Sequence, residues 1–278
     1  MNRSHLNFTA FFIISLLIYL FSVNNLGQKI DAFFIIILAV PCLSYFWFYK
    51  KTTDGTLIVK NKTAVILTIY TAIYLSSIYF INLLGSSVSL WLVQFTIPLI
   101  ILKTFKQPLK TINFQWKDTF KDFKFVLIST VIVVPFLLFG VRDSEQIIHL
   151  FKSWKGFIYM PMSAIYMLLI VAFWEEFFFR GIVQSSFLKL TKNSVASIFL
   201  SSFLFGVYHL PMRYFNPKSA YYGDLLQSFS ATISEQFIMG LFLGIIVYKS
   251  KNVWHGIWLH SILNGLGFVY QLSLMIKL

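Results

Sequence analysis

The chain is cut into continuous apolar runs of about 15 to 25 residues, with most of its lysines confined to the short segments between them. As helix, a run of that length crosses a hydrocarbon core of roughly 30 Å, and helix is the form in which an isolated run satisfies its own backbone in lipid. The runs are unbroken rather than alternating, which excludes a membrane barrel. The expected fold is all-α, a polytopic transmembrane bundle of about eight to nine membrane helices near residues 7–23, 31–48, 63–84, 88–102, 125–140, 156–178, 195–210, 225–248 and 254–275. The fourth and fifth runs are short and hold Pro98 and Pro135, so one of them is a candidate for a tilted or re-entrant segment.

With 58% apolar and 12% charged residues, a soluble globular domain is excluded. The net charge of +13 does not point to nucleic acid, because the basic residues form no contiguous face. They read as topology signals: Lys50, Lys51, Lys60 and Lys62 outweigh Asp54 in one loop, which places that loop and the amino terminus on the cytoplasmic side. The same alternation puts Arg180, Lys189, Lys192, Lys249 and Lys251 inside, along with the 103–124 segment. There, Phe114, Trp116, Phe120 and Phe123 among Lys117, Asp118, Lys121 and Asp122 predict an amphipathic helix lying at the interface. The lipid bilayer is the expected environment throughout. The lone Cys42 rules out a disulfide within the chain, and the first apolar run reads as a membrane helix rather than a cleaved signal.

Two parts are expected. Residues 1–155 are N-terminal membrane helices of unassigned role with no polar cluster inside their spans, and residues 156–278 hold the intramembrane polar groups. Foremost among these are Glu175 and Glu176, adjacent carboxylates in an apolar run, followed by Arg180. A charge at membrane depth costs roughly 2.5 to 3.5 kcal/mol on insertion scales, so such a pair is expected to face a cavity with a task to perform. Glu176 and Arg180 stand at i, i+4, the spacing of a helix ion pair, which leaves Glu175 about 100° away on another face. His209 closes a second run, and His260 and Asn264 share one face of the last. A carboxylate and an imidazole suit proton transfer from water, and His with Asn suits an oxyanion.

Each group also has an ordinary reading. A single intramembrane histidine is commonly an interhelical hydrogen-bonding group, and a Glu pair also suits an ion or proton pathway. Glu235 is a third intramembrane carboxylate, expected to hydrogen-bond a neighbouring helix or to line the cavity, while Asp224 and His255 read as capping or interfacial residues. His5 and His149 have no assigned role. A depth problem accompanies the grouping: Glu175 and His209 meet only if the helix bearing Glu175 continues past Arg180, to about residue 190, or if the next one starts outside the membrane.

The ordered set Glu175-Glu176-Phe-Phe-Phe-Arg180, Phe205-Gly-Val-Tyr-His209 and His260-Ser-Ile-Leu-Asn264, with Gly181 after the arginine, resembles the CPBP family of intramembrane proteases, the CAAX protease and bacteriocin-processing group also called Abi. The resemblance covers about residues 156–270 and implies a bundle whose catalytic core is the C-terminal half. It implies an intramembrane endopeptidase in which Glu175 and His209 activate water, His260 and Asn264 bind the oxyanion, and Glu176 and Arg180 support that geometry. No cofactor is favoured, although Glu175, His209 and His260 are the three ligands that an open zinc site would use. The implied substrate is a peptide or small membrane protein at a bacterial cytoplasmic membrane, in bacteriocin or pheromone processing or in self-immunity, with a prenylated CAAX tail ranked lower. The rival readings are a non-catalytic immunity or scaffold protein of the same fold, and a proton-coupled transporter, which predicts inverted repeats that the sequence does not display.

Overall fold

The computed structural model describes residues 59–83, 91–116 and 144–276, together with Leu127 and Thr130. Regular structure among them is helical throughout, without strands. The helices are α1 (Asn61–Leu83), α2 (Trp91–Thr104), α3 (Ser144–Lys152), α4 (Lys155–Thr191), α5 (Ser194–Tyr214), α6 (Leu225–Ser250) and α7 (Val253–Ile276). Five stretches are long and apolar enough to cross a membrane: the Asn61–Tyr79 part of α1, and α4, α5, α6 and α7. Among the described residues the number is therefore five, against the eight or nine expected from the whole sequence. The helices expected at 7–23, 31–48 and, but for Leu127 and Thr130, 125–140 lie outside the described residues, as do Cys42 and His5.

The same device closes both tight hairpins. Lys192 (φ 52°) and Lys251 (φ 56°) take the left-handed conformation that ends a helix, and an asparagine follows each. Asn193 Oδ1 accepts from Val195 N at 2.9 Å and Ala196 N at 3.2 Å, and Asn252 Oδ1 accepts from Trp254 N at 3.0 Å, capping α5 and α7. Two Lys-Asn pairs thus turn α4 back as α5 and α6 back as α7.

Helix α4 has two characters. Its first half carries Phe157, Ile165 and Leu169, all more than half exposed on the protein and apolar enough for lipid, whereas Glu175 through Ser186 are buried on every side. The buried half is the central rod, surrounded by α1, α5, α6 and α7. Small residues bring α7 against α4: Ser163 Oγ donates to Gly265 O at 2.7 Å, and a Cβ on Gly265 would lie 2.8 Å from Ala164 Cα. In lipid, where apolar burial alone does not drive helices together, such close backbone packing and interhelical hydrogen bonds do.

The amphipathic helix expected over 103–124 is not what the described part of that segment forms. Pro108 starts a short 3₁₀ turn, Leu109–Ile112, and Asn113 (φ 58°) ends it. Phe114 then turns inward, 5.2 Å from the ring of Phe177 and 5.3 Å from Trp254, and Asn113 O accepts from Val253 N at 2.9 Å. Aromatic packing against α4 and α7 wins over an interfacial placement, each ring pair contributing about 0.5 to 1.5 kcal/mol. Phe120 and Phe123 lie outside the described residues.

Candidate active site

The depth problem is resolved by the length of α4. Glu175 lies sixteen residues before its end at Thr191, and His209 fifteen residues after α5 begins at Ser194, so the two stand at matching distances from the α4–α5 turn. Within α4 the backbone widens into π-type turns at Leu168–Ala172 and Phe177–Val183, on either side of the glutamate pair. Such turns are uncommon and recur at functional sites. Ser201 Oγ donates to Phe179 O within the second of them at 2.7 Å.

The three phenylalanines between Glu176 and Arg180 set the rotation of α4. Phe177 packs on Phe95 of α2 at 4.7 Å, Phe178 on Tyr74 of α1 at 5.3 Å, and Phe179 on Phe205 of α5 at 5.1 Å. With these rings fanned into three neighbours, the charged side chains point to α5 and α7.

Glu176 is completely buried and doubly engaged. Its Oε1 accepts from His260 Nδ1 at 2.9 Å, and its Oε2 lies 3.3 Å from Arg180 Nε. The Arg180 guanidinium, also completely buried, stacks over the Phe205 ring at 4.5 Å. Gly256, one turn before His260, makes room for this carboxylate, because a Cβ there would stand 2.9 Å from Oε2.

Glu175 is placed differently. Its Oε1 lies 3.8 Å from His209 Nε2 and its Oε2 3.9 Å from His260 Nε2, both beyond hydrogen-bond length. The far nitrogen of each ring is committed elsewhere. His209 Nδ1 donates to the Phe205 carbonyl at 2.8 Å, and His260 Nδ1 to Glu176. Since a carbonyl only accepts, a neutral His209 keeps its Nε2 lone pair facing Glu175. A carboxylate and a lone pair face each other across a gap that one water molecule can bridge by donating to both. Glu175 is 4% and His209 19% exposed, so the opening lies on the His209 side.

Glu175, Glu176, Arg180, His209 and His260 are thus gathered, while Asn264 lies one turn along α7 from His260, half-buried and with no hydrogen bond to the other five among the described residues. Glu235 pairs with Arg213 between α6 and α5, as an interhelical partner. Asp224 caps α6, its Oδ1 accepting from Gln227 N at 2.9 Å. His255 is buried near the start of α7, whose cap belongs to Asn252. His149 is exposed on α3. Glu175, His209 and His260 offer the donor types that zinc takes, yet no three His, Cys, Asp or Glu side chains among the described residues gather closely enough to hold a metal ion.

Sequence reasoning did not find the contribution of the first half. Gln94 and Tyr74 are buried, with Gln94 Nε2 donating to Tyr74 OH at 3.0 Å, and the Tyr208 ring lies between Tyr74 (6.3 Å) and His209 (4.8 Å). A polar pair therefore does exist inside the spans of residues 1–155, contrary to expectation. Gln94 carried a signal, as an amide inside an apolar run.

Residues 157–266 match the family model described as type II CAAX prenyl endopeptidase Rce1-like. Over that stretch the chain is similar to the CAAX protease family. No curated protein and no solved structure matches the chain. The CAAX protease stretch contains all seven motif positions from Glu175 to Asn264, whereas Tyr74 and Gln94 come from outside it. The model describes an endopeptidase, so protease is the reaction class to which the similarity points.

Proposed function

We propose that the protein is an intramembrane endopeptidase that hydrolyses a peptide bond in a membrane-associated peptide or the tail of a small membrane protein. The observation that carries this reading is the Glu175 carboxylate set between two imidazole Nε2 atoms at 3.8 and 3.9 Å, each ring fixed through its other nitrogen. In the proposed reaction, water held between Glu175 and His209 gives its proton to Glu175 as its oxygen bonds to the carbonyl carbon. The carbonyl electrons move to oxygen, which accepts hydrogen bonds from His260 Nε2–H and the Asn264 amide. Because His260 Nδ1–H is already given to Glu176, this donation requires both ring nitrogens to carry protons. The proton taken from water then passes to the leaving nitrogen, and the C–N bond breaks to release an amine and an acid. Arg180 and Glu176 act through His260, as positioning residues.

We assign the catalytic unit to residues 156–278 and the supporting aromatic seam to the preceding helices. The family description points to a prenylated C-terminal tail, and bacteriocin or pheromone peptides present the same chemistry, an amide bond in a lipid-associated chain. The non-catalytic alternative, an immunity or scaffold protein, predicts that the motif residues are dispensable. The deciding experiment compares purified protein with Glu175→Ala and His209→Ala on quenched lipopeptides. Cleavage lost in both variants supports the peptidase. No cleavage by the parent protein, with both variants still complementing a deletion strain, overturns it.

A further inference from the structure

Beside Glu175 lies a buried polar cluster that the proposed reaction does not use. Tyr74 on α1, Gln94 on α2 and Tyr208 on α5 are each 5% exposed or less. Gln94 sits in a π-type turn, Trp91–Thr96, which is tied to α1 by a hydrogen bond from Tyr70 OH to Val93 O. Its Nε2 donates to Tyr74 OH at 3.0 Å. The Tyr208 ring stands 6.3 Å from that of Tyr74 and 4.8 Å from that of His209, and its hydroxyl faces Tyr74 and Gln94. The charge of Glu175 acts on both phenols.

Three atoms of this patch, Tyr208 OH, Gln94 Oε1 and Glu175 Oε2, are buried without a hydrogen-bond partner among the described residues. The oxygen of Tyr74 takes a proton from Gln94, so its own is free to pass on, and Tyr208 has one more to place. Two donors therefore meet two open acceptors, an amide oxygen and the carboxylate that faces both imidazoles. A buried hydroxyl is costly unless its proton finds an acceptor, whereas a phenylalanine ring would fill the same space without that cost. Of the two acceptors the carboxylate is the stronger, because a hydrogen bond to an ionised group is roughly twice as strong as one between neutral groups.

We propose that Tyr208 is a positioning residue for Glu175, its hydroxyl donating to Oε2 directly or through one water, with Tyr74 and Gln94 orienting that hydroxyl. Held through Oε2, the carboxylate keeps Oε1 turned to His209, 3.8 Å away, where the attacking water belongs. The proposal rests on the endopeptidase reading and extends its machinery beyond residues 157–266, to two helices outside the family match.

The test uses the full chain in detergent and two independent readouts. The first is kcat and KM on quenched lipopeptides. Tyr208→Phe is expected to lower kcat about tenfold with KM within about twofold of the parent, and Tyr74→Phe and Gln94→Met to lower kcat about threefold. Tyr208→Phe and Tyr74→Phe together are expected to be no worse than Tyr208→Phe alone, because both act through one hydroxyl. Tyr79→Phe is the control: its hydroxyl also ties α1 to α5, but at a backbone carbonyl, Val207 O, at 3.3 Å, and its loss is expected to leave kcat within about twofold. The second readout is the melting temperature. Tyr208→Phe is expected to lower it by about 2 to 4 °C in the parent, and to leave it unchanged or raise it in Glu175→Leu, which offers the hydroxyl no acceptor. Unchanged kcat in Tyr208→Phe, an equal loss in Tyr79→Phe, or the same melting shift in both backgrounds overturns the proposal. If the parent cuts nothing, the endopeptidase reading fails, and the melting cycle alone decides whether Tyr208 serves Glu175.

Discussion

His260 Nδ1 donates to Glu176 Oε1 at 2.9 Å while Arg180 Nε lies 3.3 Å from the other oxygen of the same carboxylate, so the second glutamate of the pair joins α4 to α7 rather than facing the cavity. Replacing it by Gln keeps the shape and removes the charge that faces a completely buried guanidinium. Glu176→Gln is expected to destabilise the protein by about 3 to 5 kcal/mol and to lower cleavage through His260. Thermal unfolding in detergent, measured beside kcat, checks both; an unshifted melting transition contradicts the assignment.

Glu175 is the opposite case, a carboxylate with no hydrogen-bond partner on Oε2 among the described residues. Glu175→Gln is expected to cost about 10²- to 10⁴-fold in kcat while leaving thermal stability unchanged or higher. Activity within a few-fold of the parent would remove it from the reaction.

Two glycines beside the site are predicted to differ. A Cβ on Gly256 meets Val247 Cγ2 at 2.8 Å and Glu176 Oε2 at 2.9 Å, whereas one on Gly181 meets nothing closer than Ile112 Cδ1 at 3.6 Å. Gly256→Ala is expected to destabilise by about 1 to 3 kcal/mol and to lower kcat by displacing Glu176, and Gly181→Ala to be tolerated. Equal melting temperatures for the two variants would show that the α6–α7 packing yields more than the distances imply.

Phe205 supports the site in two ways. Its ring lies under Arg180 at 4.5 Å, and its carbonyl fixes His209. Phe205→Leu removes only the ring. The expected loss is mainly stability, about 2 kcal/mol or more from the desolvated cation–π contact alone, with a smaller effect on kcat because the backbone still orients His209. A far larger loss in kcat than in stability would assign the ring a direct part in catalysis.

Because the donors of Glu175, His209 and His260 are not gathered at metal-ligand spacing, hydrolysis is expected to survive dialysis against a strong chelator. Loss of activity on chelation, restored by zinc, would require the three side chains to close up around an ion.

Most of the C-terminal helices were legible because apolar runs in a membrane have one backbone solution. Helix α5, expected at 195–210, is Ser194–Tyr214, and α7, expected at 254–275, is Val253–Ile276. The pairing of Glu176 with Arg180 followed from spacing alone. The extension of α4 to Thr191 was only one of two solutions to the depth problem, because an amphipathic tail reads equally well as a helix lying outside the bundle. The inward turn of Phe114 was not legible, since its alternative, an interfacial helix, has the same pattern and loses only to aromatic partners far away in the chain.

What residue order alone settled is whatever depends on near neighbours and on the solvent: an all-helical membrane chain, and the faces shared by Glu176 and Arg180 and by His260 and Asn264. What only the tertiary structure decided is which nitrogen of each histidine is engaged, that His260 belongs with Glu176 as much as with Asn264, and that Tyr74 and Gln94 stand beside the site. Those depend on the rotation of α4, which is set by three rings finding partners on three different helices, and no local pattern encodes contacts between residues 26, 82 and 104 positions apart.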